Sequence, residues 1–350
     1  MNTIKPRVRI ILTGGTIGSD RKQGGSAPSK EASRFLSETL SSLFSDKGVI
    51  PDFSYPWGEG GIDSSDLSPS GWLRITRDVA EALSSGCSGV LILHGTDTMA
   101  YTAAWLSLCF AGCPIPIILT GSQFTRDYMP EDGSVNLKGA VQVMCSNVKG
   151  VWIYFNWKLI QGNRAHKARA SHPDAFSAMG GFPVFFNPEW GLIGGADSPR
   201  GAMIWTPGEA LNALMGIPEN LADLVCSNIR WIFSAPGAGH SLDGDEKLIG
   251  IIGYGAGNAP QTLHSAIDSS YAHRSDKPVI VACSQAEGDM KNPLLYDNVG
   301  LGWLSQRGFR VFSQMDYPIE FVHALACYSL LLSHVGMDGE ALMGRYLRKY

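Results

Sequence analysis

Three short segments carry residues able to do chemistry. "TGGTIGS" (13–19) and "HGTDT" (94–98) set threonines among glycines, and the second adds a carboxylate. "TGSQ" (120–123) brings a serine and an amide. These residues point to hydroxyl nucleophiles. A threonine hydroxyl is weak at neutral pH, so it needs a base and a group that holds the base. A lysine serves if burial or neighbours lower its pKa. "QGNRAHKARASHPDAF" (161–176) supplies Arg164, Lys167 and Arg169, and also reads as a solvated basic loop.

Other chemistries lack their spacing. "TGGTIGS" has neither the G-x-G-x-x-G of a dinucleotide loop nor the G-K-[ST] ending of a P-loop, and "GYGAGNAP" (253–260) spaces its glycines differently again. There is no G-x-S-x-G elbow. No His-Glu-x-x-His and no Cys/His ligand spacing occurs, and His166 and His172 read as a surface pair.

The elements that position these segments are short apolar runs, most of which end in Gly- or Thr-containing loops. Strands are expected at 8–12, 89–93, 114–119, 150–155, 248–253 and 278–283. Runs apolar on both faces belong to a parallel sheet covered by helices. Helices are expected at 70–85, 99–111, 134–146, 260–273 and 319–334. The alternation predicts an α/β fold. A larger N-terminal doubly wound, mostly parallel domain (1–215) precedes a smaller C-terminal α/β domain (216–350), with a Gly- and Pro-rich stretch at 187–245 holding the junction. Ligands of open parallel sheets bind beyond the carboxyl ends of the strands, so the three loops should face one crevice. Each loop alone also has a purely local explanation in turns and caps, and Asp97 or Thr98 suits the N-cap of the helix from Met99.

Bulk properties narrow the partners. The chain has 350 residues, 44% hydrophobic and 17% charged, with formal charge −4. This balance, without a long basic run, argues against nucleic acid and against electrostatic membrane contact. Seven scattered cysteines without a Cys-x-x-Cys pair fit reduced thiols. The apolar run before Thr13 is too short for a secretory leader, and no window reaches the ~18 apolar residues of a membrane span. The expected location is the cytoplasm.

"ILTGGTIGS" (11–19) and "LHGTDTMAYTAAWLS" (93–107) together resemble the signature motifs of the L-asparaginase (asparaginase/glutaminase) family. The resemblance continues through "DSSDLSP" (63–69), "PIPIILTGSQ" (114–123), "DGSVNLKGA" (132–140), "GNRAHK" (162–167) and "YGAGNAP" (254–260), and is closer to the cytosolic type than to the secreted one. It implies that Thr16 attacks a side-chain amide carbon, forming an acyl-enzyme and releasing ammonia. Thr96, Asp97 and Lys167 would form a second group, with Lys167 drawing on the Thr96 hydroxyl. Ser64, with Ser65 beside it, and Asp97 would hold the substrate's α-groups, while Gly95 allows close backbone approach. Backbone N–H groups around Thr96 and Ser122 would form an oxyanion hole. Asn258 would come from a neighbouring subunit of a homodimer or homotetramer, and the resemblance implies no metal and no organic cofactor.

The family's mobile-loop tyrosine is missing, for no tyrosine lies between Ile17 and Ser54. Ser26 and Ser29 are the small hydroxyls near that point. In some cytosolic-type relatives a tyrosine of the C-terminal domain substitutes, and Tyr296 in "PLLYDNVG" is the best match, although it also reads as a core or turn tyrosine. No acidic partner like that of secreted relatives is evident, and Glu287 is a poor one. Residues 195–245 look longer than the family needs. Three functions follow: hydrolysis of L-asparagine; the same cleavage of glutamine, D-asparagine or a peptide-linked amide; or a non-catalytic amino-acid sensor. A sensor needs Asp97 and Ser64 but not Lys167.

Overall fold

The computed structural model describes residues 5–22, 25–125, 127, 131–146, 148–187, 189, 191–193, 208–287, 292 and 294–350. The chain divides into two compact units between Glu219 and Asn220. The expected α/β architecture is present, with a large, mostly parallel sheet in the first unit and a separate sheet in the second.

The first sheet holds β1 (Arg7–Leu12), β2 (Ile50–Ser54), β3 (Gly89–Leu93), β4 (Pro116–Thr120), β5 (Gly150–Phe155), β6 (Lys158–Gln161), β7 (Val184–Asn187) and β8 (Gly191–Ile193). Its order is β2-β1-β3-β4-β5-β6-β7-β8. The first five strands run parallel, and β6 to β8 add antiparallel ribbons. The apolar runs bury strand residues such as Ile10, Leu91 and Ile118 against Leu137 and Val141 of α4 (Gly133–Met144). Helix α1 (Lys30–Ser45) starts where the Ser29 hydroxyl accepts the Ala32 N–H at 3.2 Å, and buries Ala32, Leu36, Leu40 and Phe44 at four-residue spacing. Helix α2 (Pro69–Ser84) starts on a proline that needs no N–H partner. Helix α3 (Met99–Cys109) is buried on nearly all sides and has no polar face.

The second sheet contains β9 (Ile229–Phe233), β10 (Leu248–Gly253), β11 (Val279–Ser284), β12 (Arg310–Ser313) and the short antiparallel β13 (Arg348–Lys349), in that order. Its core joins Ile249, Ile251, Ile280 and Val311 to Leu263 and Ile267 of α7 (Gln261–Tyr271). Helices α8 (Ile319–His334) and α9 (Gly339–Tyr346) follow.

The expected spans 89–93, 150–155, 248–253 and 319–334 coincide with elements, and the remaining ones lie within two residues at each end. Elements that were not anticipated include strands β2, β9 and β12 and helices α1, α5 (Gly208–Met215), α6 (Glu219–Cys226) and α9. The stretch at 187–245 therefore carries regular structure at Gly191–Ile193 and again from Gly208 onward, while 194–207 lie outside the described residues.

Candidate active site

The first sheet reverses its order between β1 and β3, because β2 lies on one side of β1 and β3 on the other. Loops at such a switch point diverge and leave a crevice. Leu12 is in register with Leu93, and Leu93 with Thr120, so the loops after β1, β3 and β4 leave side by side. The Thr13 N–H donates to Leu93 O at 3.0 Å and the His94 N–H to Thr120 O at 2.9 Å.

Two glycines let these loops interlock. Gly15 has φ of 82°, and a Cβ there would fall 2.3 Å from Gly95 Cα. A Cβ on Gly95 would fall 2.4 Å from Ser64 Oγ. Gly95 lines the crevice, but its lack of a side chain is explained first by these neighbours.

His94 clamps the turn from beneath. Its Nδ1 lies 2.7 Å from Gly95 O and its Nε2 2.9 Å from Thr102 Oγ1. A carbonyl only accepts, so Nδ1 carries the proton and Nε2 accepts from the threonine. Burial pushes the ring's pKa down to about 4, and it is neutral near pH 7.

Above it, buried Thr96 is held from two sides. Its hydroxyl donates to Gln123 Oε1 at 2.8 Å and accepts from Lys167 Nζ at 2.9 Å. Gln123 Nε2 donates to Arg169 O at 3.3 Å, which sets the orientation of the amide. Lys167 also bonds Asp97 Oδ1, and that hydrogen bond holds the Asp97 carboxyl below the usual carboxylate range. Ser65 Oγ donates to the other oxygen of Asp97 at 3.1 Å. The Gln123 loop is fixed in turn by Asp132, whose carboxylate accepts the N–H groups of Gln123 and Phe124 at 2.8 and 3.1 Å.

Lys167 ends the strand Ala165–Lys167, which pairs with Phe176–Ala178 as a small hairpin. Its side chain is 17% exposed, whereas Arg169 turns outward to Asp174. The solvated-loop alternative thus describes Arg169 but not Lys167.

The result is a polar cavity of about 170 Å³ lined by Gly15, Thr16, Asp63, Ser64, Gly95, Thr96, Asp97, Gln123, Lys167 and Ala170. Thr16 begins a single 3-10 turn and is half-buried. Among the described residues its hydroxyl has no hydrogen-bond partner. Three hydroxyls, an amide, an amine and two carboxylates therefore share one small space.

One expected detail needs correction. Thr98 occupies the N-cap of α3, but its hydroxyl donates to Ser64 O at 2.7 Å, and Asp97 is engaged by Lys167 and Ser65, so neither caps the helix. Ser122 is buried with an unpartnered hydroxyl, and it is its neighbour Gln123 that lines the cavity. Asp63 was not among the expected site residues, and Gln123 was expected to face the crevice with its loop but had no role of its own. Asp63 heads "DSS", where its carboxylate accepts the Ser65 N–H at 2.9 Å, a pattern visible in the sequence as a turn. The link from Gln123 to Thr96 spans 27 residues, which no local pattern reveals.

Asn258 and Tyr296 belong to the second unit. Asn258 sits in a tight loop bridged to Tyr254 and Gly300, with Oδ1 buried and unpartnered. Tyr296 is exposed, and its carbonyl accepts the Gly300 N–H at 2.9 Å, so of its two structural readings the turn holds and the core does not. Near the missing loop tyrosine, Ser29 caps α1 and donates to Asp20 at 2.6 Å, while the Ser26 side chain lies outside the described residues.

Among the described residues one grouping has metal-ligand spacing, Asp243, Asp245 and Glu246. Glu246 there accepts the N–H groups of Asp243 and Gly244 and the Tyr271 hydroxyl, which is a loop clasp. The described residues include all seven cysteines, and none of these forms a disulfide. Among the described residues no helix is long and apolar enough to cross a membrane.

Residues 7–185 match the family model "Asparaginase, N-terminal". The chain is 31% identical over 287 residues to L-asparaginase 1 of Escherichia coli (strain K12), covering 79% of this chain and 78% of that one. It is 34% identical over 188 residues to a component of the glutamyl-tRNA(Gln) amidotransferase of Pyrococcus horikoshii, or 51% of this chain and 42% of that protein. The fold superposes on the thermostable L-asparaginase from Thermococcus kodakarensis with a TM-score of 0.74 and 22% identity, covering 97% and 96% of the two chains. Signature segments, sheet order and relatives agree, and the chain belongs to the asparaginase family of amidohydrolases.

Proposed function

We propose that the protein is an L-asparaginase that converts L-asparagine to L-aspartate and ammonia through an acyl-enzyme on Thr16. The observation that carries this reading is the contact of Lys167 Nζ with Thr96 Oγ1 at 2.9 Å, in the cavity that Thr16 also lines. As an ammonium, Lys167 donates to Thr96; as an amine, it accepts the Thr96 proton once that hydroxyl turns away from Gln123. This gives a proton shuttle beside the reacting centre. The Thr16 oxygen bonds to the amide carbon, the C–N bond breaks, and the shuttle delivers the proton that ammonia needs to leave. Water then cleaves the ester and frees Thr16.

In this reading Ser64, Ser65 and Asp97 hold the substrate's α-amino and α-carboxylate groups, and Gly95 allows close approach. Backbone N–H groups at Thr96 and Ser122 receive the oxyanion, each worth ~3 kcal/mol when well aligned. Asn258 of a neighbouring copy completes the pocket in a homodimer or homotetramer, and Tyr296 assists Thr16. The activity named for the Escherichia coli relative supports the choice of asparagine. Seven cysteines without a disulfide support a cytoplasmic location.

The test is a coupled ammonia assay over L-asparagine, D-asparagine and L-glutamine, with Thr16→Ala as the blank. We expect L-asparagine to be turned over fastest and the blank to be silent. Aspartate or asparagine binding without ammonia release would replace the enzyme by the sensor.

A further inference from the structure

The second unit carries a cleft of about 360 Å³ at the amino end of its sheet, opposite the loops that hold Asn258 and Tyr296. Its floor is apolar, formed by Leu248 and Val279 at the starts of β10 and β11 with Leu330 of α8 and Met343 of α9. Its rim sets two cations, Lys247 and Arg310, beside two carboxylates, Asp276 and Glu340. Lys247 Nζ bonds Asp276 at 2.9 Å and has no other bond among the described residues, so two of its N–H donors stay uncommitted. Arg310 directs Nη1 to Glu340 at 3.1 Å and Nη2 to the Lys277 carbonyl, leaving Nε open. The exposed His334 imidazole, where α8 ends, has no partner among the described residues.

Pockets that bind small molecules combine an apolar lining with a few placed polar groups, and their volumes begin near 300 Å³. Here Lys247 and Arg310 keep donor capacity after pairing with Asp276 and Glu340, and such charged donors favour a carboxylate. We propose that this cleft binds a small organic monocarboxylate with a short aliphatic or aromatic body, its carboxylate on Arg310 and Lys247 and its body on Leu248, Val279 and Met343. The exposed Asp276 carboxylate, 3.8 Å from Arg310 and bonded to Lys247, competes for the same cations. Asp276 therefore sets the affinity, and its charge decides the sign of the test.

Calorimetric titration of the full chain with phenylacetate, and with 2-phenylethanol as the neutral counterpart, tests this. We expect saturable phenylacetate binding that Asp276→Asn tightens by about threefold and Arg310→Met weakens by about tenfold or more. 2-Phenylethanol should bind more weakly and respond to neither change. Because Arg310 also anchors Glu340 and Lys277, Ser333→Trp is the second variant; it fills the cleft and should abolish binding, with the thermal midpoint confirming the fold. Saturating L-aspartate should leave phenylacetate binding in place. The proposal fails if phenylacetate does not saturate by about 10 mM, if L-aspartate displaces it, or if Ser333→Trp binds like the parent. It fails equally if Asp276→Asn weakens binding, which would mark a cleft for cations.

Discussion

The two units each contain parallel strands, yet they differ in strand order. In the first unit the order β2-β1-β3-β4-β5 reverses at β1, and in the second β9-β10-β11-β12 runs in sequence without a reversal. A reversal makes neighbouring loops diverge at the carboxyl edge and opens a crevice that polar side chains can line, whereas sequential order lacks that opening. The consequence is visible in the side chains. Thr96, Lys167 and Asp97 converge at the reversal of the first sheet. The corresponding edge of the second is closed by backbone pairing, in which the Tyr254 N–H donates to Asn258 O and the Ala259 N–H to Val299 O, each at 2.8 Å. One sheet opens a polar crevice at its carboxyl edge, and the other closes that edge with a paired loop.

If that division is right, the largest losses come from the first unit. Thr16→Ala should abolish ammonia release, by at least a thousandfold, because it removes the oxygen proposed to attack. Lys167→Met should follow at about 10²–10⁴-fold, the usual worth of a positioned proton-transfer group. Thr96→Val, nearly isosteric, should cost on the order of a hundredfold with melting intact. Initial-rate kinetics and a thermal melt on the same samples check all three. Parental turnover in Thr96→Val would mean that the Lys167 contact is structural.

Within the first unit the comparison extends to the two threonines. Thr96 is wired to Gln123 and Lys167, whereas the Thr16 hydroxyl has no partner among the described residues. Gln123→Ala should therefore lower kcat by about tenfold, since Thr96 would lose its second anchor while its contact with Lys167 survives. The conservative Gln123→Glu, which keeps an acceptor, should recover part of the loss. Tyr296→Phe probes the other threonine and the other unit. We expect about a tenfold loss, and a parental rate would mean that Thr16 finds its partner elsewhere.

Much of this was legible because buried parallel strands leave a plain signature. "GVWIYF" and "LIGIIG" contain no charged residue and became β5 and β10. The edge strand "IPDFS" failed that test, since only one of its sides is paired and its residues are half-buried. Helix α1 was readable but passed over: its Ala-Leu-Leu-Phe stripe lies under seven serines and threonines between Ser29 and Ser45. The loop hydroxyls were legible as a set because all three loops follow strands. Asp63 and the contact of Gln123 with Thr96 were not, because what brings these residues together is strand order, and strand order is a property of long-range pairing.

The smallest effect separates the units by acid. His94 lies under the Thr96 turn and His323 lies in the second unit, where its Nδ1 accepts from Trp231 Nε1 at 2.9 Å. Burial lowers each to about 4 from the ordinary 6.5, and it lowers His264 of the second unit as well. The unfolded chain then takes up the proton first as pH falls. The stability these rings contribute is complete above about pH 6.5 and disappears as pH falls towards 4, by up to about 3 kcal/mol for each of His94 and His323. Asp97, whose carboxyl is depressed, acts in a lower window: its contribution holds above about pH 4 and is lost below it. With two such rings against one, the second unit should lose more of its stability between pH 6.5 and 4. His323→Gln should flatten the pH dependence of its melting, and His94→Gln should flatten that of the first unit. Only His94→Gln should also lower turnover, because only that ring holds the Gly95 carbonyl beneath Thr96. Thermal melts at pH 7, 5.5 and 4.5 decide the matter: equal slopes in the parent and both variants would mean that these imidazoles titrate freely, and with that the account of a rigid turn under Thr96 would fall.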